Sequence, residues 1–498
     1  MVKIREIVRQ NPWWNQGAGF ARYDPHLIKT LPIFFQREEI DLVRGNIYVL
    51  RGCRQVGKST YLKTIVKQLI EGGVNPKHIL YLSLDFFTSR RELRNAVNYF
   101  LNETREAETI YLLFDEITFL KDWNLELKYL ADQGITGKAI IIATGSSAVK
   151  LKEKRELLPG RGLEGNEYYI KPLSFREFSL QSIEFIRGVL KNNELKDSMK
   201  RLEETMNRTS IDLSLDLQDI QQEIARLLPF NNEVGFLLRK YLITGGLPRV
   251  INHYFGNWRE EFIEYIDPVI AEIFIRDILG DIAKLDRQEI IARKLLKAIL
   301  DKYGSRFSFN ALARQTGRSH VTTIDYFDYF QESFICFILY AYDFNKKFAK
   351  LKGNKKIYFF DPFILHAAKS YLQGEEVQTA ITRTLQDEEI QSRILEGIAI
   401  SHLLLHKEIP YLRSGQTFLW NYYNKSGKEV DAIIKINGGY LGIEVKYQSQ
   451  VDRRDIQRIN DIKDYIILSK EDADNKDNLI LTPIDIFLAL ITKSERNL

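Results

Sequence analysis

Gly52-Cys53-Arg54-Gln55-Val56-Gly57-Lys58-Ser59 is the stretch on which the fold of this 498-residue sequence turns. It fits G-x-x-x-x-G-K-[ST], a phosphate-binding pattern that carries weight only between a strand and a helix. Both flanks are there. The apolar run Ile47–Leu50 precedes the motif, and a helical pattern from Thr60 to about Ile70 follows it. Glycines let backbone amides wrap phosphate oxygens, so Gly52, Arg54, Gln55, Val56, Gly57 and Thr60 are expected to line a nucleotide. Lys58 would face its β- and γ-phosphates, and the Ser59 hydroxyl would reach Mg²⁺.

Further along, Tyr111-Leu112-Leu113-Phe114 is an apolar strand that ends in Asp115-Glu116. An acid pair in this order after a phosphate loop predicts that Asp115 holds the Mg²⁺ shell and Glu116 orients and deprotonates a water. Ala143-Thr144-Gly145-Ser146-Ser147 ends another strand, where either Thr144 or Ser146 could sense a γ-phosphate. Leu158-Pro159-Gly160-Arg161 presents an arginine, either a finger for a neighbouring subunit's nucleotide or a plain loop residue. Ile47–Leu50, Ile79–Leu84, Ile110–Phe114 and Ala139–Thr144 are continuous apolar runs alternating with amphipathic helices. That is the pattern of a parallel α/β sheet covered on both faces.

Bulk composition sets the bounds. A chain of 498 residues exceeds one hydrophobic core. Its 71 basic and 66 acidic residues nearly balance, so a nucleic-acid surface must come from local clustering. Two cysteines, Cys53 and Cys336, lie outside any metal-ligand spacing and argue for a reducing compartment. With no apolar run of membrane-spanning length and no secretory leader pattern, no membrane association is expected and the cytoplasm is the default location.

Outside the α/β region the elements change. Residues 1–39 form an extension whose Asn11-Pro12-Trp13-Trp14 is too aromatic for a free tail and predicts docking of the tryptophans on a neighbouring domain. Residues 179–300 read as mostly helical. Within 301–377, Phe309–Ala313, Gly317 and Ser319–Gln331 spell helix, turn and capped helix. Arg318, Ser319, His320, Thr322 and Thr323 fall at the end of that second helix where DNA contacts usually arise. The segments Phe334–Tyr340 and Lys356–Phe360 then read as two strands around a loop with Lys346, Lys347, Lys350, Lys352 and Lys355, either a phosphate contact or a solvated loop. In 378–498, the strand Glu429–Lys435, a turn at Gly438-Gly439 and the strand Tyr440–Lys446 set Asp431 near Glu444 and Lys446. This looks like the PD-(D/E)XK nuclease pattern: Asp431 and Glu444 would hold Mg²⁺ or Mn²⁺, and Lys446, on the same strand face as Glu444, would stabilise hydroxide or phosphate. The other reading is an exposed ion pair, or a domain that binds DNA without cutting it.

The motifs RGCRQVGKS, FDEI with Trp123 and Leu127-Lys128, ATGSSA and LPGR, with NPWW and GGLPR, resemble a widespread archaeal and bacterial AAA+ ATPase family. The resemblance covers nearly the whole chain. It implies an α/β multidomain fold: an AAA+ core at 40–178, a helical lid at 179–300, a winged helix at 301–377 and a restriction-endonuclease-like domain at 378–498. It implies ATP and Mg²⁺ as cofactors and Glu396 as a further acid of the nuclease-like site. Cys53 departs from the family's usual proline, at a position that contributes backbone. Gly246-Leu247-Pro248 is similar to a G-x-P element by which signalling ATPases reach their nucleotide through Pro248; it also reads as a helix start with proline in the first turn. The leading expectation is an ATP-hydrolysing protein acting on DNA, branched DNA included, in repair, recombination or mobile-element processing, as a homo-oligomer or ring. The alternative is a regulatory ATPase switch whose last domain binds without cutting.

Overall fold

The computed structural model describes residues 4–28, 31–145, 166–213, 216–258, 264–284, 287–406, 418–436, 439–452, 454, 456–476 and 478–492. The chain divides into two compact units, Met1–Lys171 and Pro172–Leu498. Among the described residues no helix is long and apolar enough to cross a membrane.

The first unit is built on five parallel strands: β1 (Ile47–Arg51), β2 (Ile79–Ser83), β3 (Ile110–Asp115), β4 (Ala139–Gly145) and β5 (Glu167–Tyr169), in the order β2-β3-β4-β1-β5. The apolar runs bury as strands because helices bring matching stripes to the sheet. In Arg90–Glu103, for example, Leu93, Ala96, Val97 and Phe100 form one buried stripe, and Ser89 accepts the Glu92 N–H to cap it. Leu80, Leu82, Leu112, Phe114, Ile141 and Trp123 belong to the resulting core.

The aromatic N-terminus solves an edge problem. β2 ends the sheet, so its outward backbone groups lack a strand partner. Side chains supply them instead. Trp13 and Trp14 both donate their indole N–H to the Ile79 carbonyl, at 3.1 and 2.8 Å. The Asn11 amide accepts from the Tyr81 N–H at 2.7 Å and donates to the Tyr81 carbonyl at 2.9 Å, and Gln10 accepts from the Ser83 N–H. The docking expected of the tryptophans is thus onto the sheet edge of their own unit.

The second unit begins with helices, the first of which, Phe175–Val189, starts on a capping box formed by Ser174 and Glu177. Helices Phe309–Thr316 and His320–Glu332 follow, joined through Gly317 at φ 67°. Behind them β6 (Cys336–Tyr340) pairs antiparallel with β9 (Lys355–Phe359), and a small ribbon, β7 (Tyr342–Asp343) and β8 (Phe348–Ala349), lies between them in sequence. The last sheet has six strands: β10 (Leu419–Tyr423), β11 (Glu429–Ile436), β12 (Gly439–Val445), β13 (Asp464–Ser469), β14 (Asp474–Lys476) and β15 (Leu479–Pro483), in the order β10-β11-β12-β13-β15-β14. β10, β11 and β12 are antiparallel, and β12, β13 and β15 run parallel. The β6–β9 pair and the six-stranded sheet are joined side to side: Ala341 bridges Asn421, whose side chain donates to the Leu339 carbonyl at 2.8 Å.

Gly245-Gly246 is fixed by packing within this unit. A Cβ on Gly245 would fall 1.9 Å from Asp361 Oδ1, and one on Gly246 would fall 2.0 Å from the Leu173 carbonyl. Asp361 accepts from the Gly246 N–H and caps Pro362–Gln373, and Pro248 opens the helix Pro248–Gly256. The glycines and the proline therefore have structural work here, in line with the helix-start reading.

Candidate nucleotide site and a second acidic cluster

The phosphate loop leaves β1 and enters the helix Lys58–Glu71. At Gly52 any side chain would collide with the backbone, since a Cβ would lie 2.3 Å from the Ile170 carbonyl. Gly57 takes φ 96° at the helix N-cap, where no side chain caps the first amides, so they stay open to an anion. Lys58 is 5% exposed and donates to the Gly52 and Cys53 carbonyls, both at 3.0 Å. Arg37 donates to the Val56 carbonyl and Thr60 Oγ1 lies 3.4 Å from His26 Nδ1, so residues ahead of the sheet also brace the loop.

Asp115 stands at the end of β3, 3% exposed, and accepts from two neutral hydroxyls: Tyr81 at 2.8 Å and Thr144 at 2.5 Å. Thr144, wholly buried on β4, also accepts the Glu116 N–H at 3.0 Å. Glu116 takes a left-handed conformation (φ 52°) and meets Arg54 of the loop at 3.8 Å. The loop, both acids and Thr144 therefore gather at the carboxyl edge of the parallel strands, where such sheets bind ligands. An open glycine cradle, a lysine and an acid held by neutral donors suit a nucleotide with Mg²⁺. Ser146 and Arg161 lie outside the described residues.

Sequence reasoning missed Tyr81 and Lys63. The Lys63 ammonium lies 3.8 Å from the centre of the Tyr81 ring and 3.6 Å from Asp24, and burial lowers its pKa. The edge-capping segment and Asp115 thus both meet Tyr81. A lysine in the second turn of a helix and a tyrosine inside a strand carry no local signal for this.

Near the helix–turn–helix, Arg318, Ser319 and His320 are exposed, Thr322 is half-buried, and Ser319 caps its helix through the Thr322 N–H. Two expected contacts are corrected. Thr323 is 0% exposed, because it shares the i, i+4, i+7 face of Phe327 and Phe330, and its hydroxyl donates to the Ser319 carbonyl. Lys355 is 3% exposed, with its ammonium on the Leu351 and Gly353 carbonyls at 2.7 and 2.9 Å, and burial lowers its pKa to about 8. Lys347 remains on the surface.

The acids of the C-terminal sheet do come together, with an unforeseen companion. Lys356 of β9 places its ammonium 2.8 Å from Glu396 of the helix Glu388–His406, 2.9 Å from Glu429 and 2.9 Å from Asp431. Tyr358 donates to Glu396 at 2.5 Å, and the Val445 N–H donates to the other Asp431 oxygen at 3.0 Å. Glu444 is 3% exposed and lies 3.7 Å from Lys446, with Oε1 buried and without a hydrogen-bond partner. Burial carries both Glu396 and Glu444 up to about 7. Burial opposes the Asp431 charge too, but Lys356 and the Val445 N–H bring that carboxyl below its ordinary range. Among the described residues no group of three or more His, Cys, Asp or Glu side chains is disposed to hold a metal ion.

An AAA domain model matches residues 44–179, and models of two domains of unknown function, DUF8612 and DUF4143, match 235–375 and 391–487. An uncharacterised protein of Methanocaldococcus jannaschii is 26% identical over 349 residues, 68% of this chain and 64% of the relative. An uncharacterised protein of Haemophilus influenzae is 34% identical over 137 residues, 26% of this chain and 32% of the relative. The chain thus spans less than two thirds of either relative. Similar solved structures include the ORC1 protein of Aeropyrum pernix in complex with DNA (TM-score 0.30, 10% identity, 66% of this chain and 87% of that one). Cdc6p of Pyrobaculum aerophilum is another (TM-score 0.25, 10% identity, 68% and 88%). Residues 44–179, nearly all of them in the first unit, are thus similar to an AAA domain.

Proposed function

We propose that the protein hydrolyses ATP and uses it to act on DNA through a winged helix in its second unit. The convergence of the Gly52–Ser59 loop, Asp115, Glu116 and Thr144 on one strand edge supports the ATPase half. Bound ATP with Mg²⁺ supplies the γ-phosphoryl group and the Lewis acid. Lys58 offsets phosphate charge in place of the carbonyls it now meets, and Ser59 and Asp115 hold the ion. Glu116 orients water and takes its proton, and Thr144 keeps both acids in register. A homo-oligomer, with Arg161 completing a neighbour's site, belongs to the same proposal.

The DNA half is supported by the surface of the helix–turn–helix. Arg318, Ser319 and His320 are exposed at the start of His320–Glu332, and Lys346, Lys347 and Lys352 are exposed around the β7–β8 ribbon. Together they offer a helix N-terminus for the groove and a basic wing for the backbone. The test is ATP turnover and anisotropy-detected binding of linear, flapped and four-way DNA across a salt series. Lys58→Ala should abolish turnover, while Arg318→Ala and Lys347→Ala should weaken DNA binding and flatten its salt dependence. Binding that ignores both substitutions would remove the winged helix from this role.

A further inference from the structure

We infer that the acidic cluster of the C-terminal sheet carries its own cation, the Lys356 ammonium, and for that reason takes no divalent metal. This goes beyond the ATPase and DNA reading, and metal binding tests it separately.

A lysine ammonium has three donors and no acceptor. Lys356 donates to Glu396 at 2.8 Å and to Asp431 at 2.9 Å, and its ammonium lies 2.9 Å from Glu429 as an ion pair. Its charge faces three carboxylates and sits between helix Glu388–His406 and β11, where the nuclease pattern would place its ion. Mg²⁺ is bound through one or two carboxylates, whose oxygens must be free to reach it. Asp431 has one oxygen on Lys356 and the other on the Val445 N–H, and Glu396 Oε1 accepts from both Lys356 and Tyr358. Glu444 Oε1 is buried without a partner, while Oε2 of the same carboxyl lies 3.7 Å from the Lys446 ammonium. These residues do not fit a metal-dependent hydrolytic centre as they stand.

Lys356 is also firmly set. It lies within β9, paired with Leu339 of β6, and all five residues of β9 are buried. Its neighbours Lys355 and Ile357 bridge Phe307 and Tyr303. Strand alternation sends Lys355 and Lys356 to opposite faces, one toward the Phe309 ring and the other into the acids. The backbone that carries the ammonium is held on both edges of β9, so the cluster reads as a joint between β9 and the last sheet rather than a gate.

The experiment is Mn²⁺ titration of the nucleotide-free full-length protein by calorimetry, beside Asp431→Asn, Lys356→Met and Lys356→Arg. The parent and Lys356→Arg should show no Mn²⁺ binding that depends on Asp431, and Lys356→Met should gain one equivalent. Mn²⁺ binding by the parent that Asp431→Asn removes would overturn the inference. So would Mg²⁺- or Mn²⁺-dependent DNA cutting lost in Asp431→Asn, or a folded Lys356→Met protein that gains no ion. Should Lys356→Met not fold, the parent against Asp431→Asn still decides.

Discussion

Asp115 and Asp431 invite comparison, since each belongs to a strand, each lies beside a second acid, and each was expected to hold a metal. Their partners differ. Asp115 is held by two hydroxyls, which fix its position and leave its charge to be used. Asp431 is held by an ammonium and a backbone amide, so its charge is already matched inside the protein. A carboxylate steadied by neutral donors is poised for a cation from solution, whereas one paired with a buried lysine has its cation built in. The partners, more than the acids, separate a site for chemistry from a structural joint.

The largest expected effect breaks the comparison on the first side. Glu116→Gln removes the carboxylate that would accept a proton from water, and should lower ATP turnover by about 10²–10⁴-fold with nucleotide binding retained. Steady-state hydrolysis alongside equilibrium binding of a fluorescent ATP analogue checks it; unchanged turnover would take Glu116 out of the reaction.

On the second side the quantity to watch is stability. Lys356→Met leaves carboxylates buried around a missing charge and should cost about 3–5 kcal/mol in denaturant unfolding of the second unit. Adding Asp431→Leu should return part of that loss, because two apolar groups pack where a lone charge could not. A double variant no better than Lys356→Met alone would mean that the pair is not the source of the cost.

The nucleotide site was legible because its pieces are contiguous in sequence: an eight-residue loop, and an acid pair closing an apolar run. Its supports were not. Tyr81 and Asn11 look like ordinary strand and turn residues, and what they do follows from β2 being the sheet edge, which strand order alone reveals. Lys356 was read only as the first residue of a strand, since the acids it meets lie 40 to 75 residues further on. Thr323 could have been placed correctly from the sequence: its spacing to Phe327 and Phe330 is that of a buried helix face. Asn11 has its own test. Asn11→Ala uncovers both backbone groups of Tyr81 on a sheet edge and should destabilise the first unit by about 1–3 kcal/mol, read as a lower melting temperature.

The smallest expected effect sharpens the comparison most. If neutral hydroxyls keep Asp115 available, removing one should loosen its aim without removing its charge. Tyr81→Phe deletes the 2.8 Å hydrogen bond to Asp115 and keeps the ring on which Lys63 rests. A hydrogen bond to a charged acceptor is worth about 1.5 kcal/mol at the low end, so turnover should fall by about 10-fold. Because Tyr81 would act through Asp115, the loss should appear chiefly as a higher Mg²⁺ concentration for half-maximal activity, partly recovered at saturating Mg²⁺. A purely structural tyrosine would lower melting temperature and leave the Mg²⁺ dependence where it was.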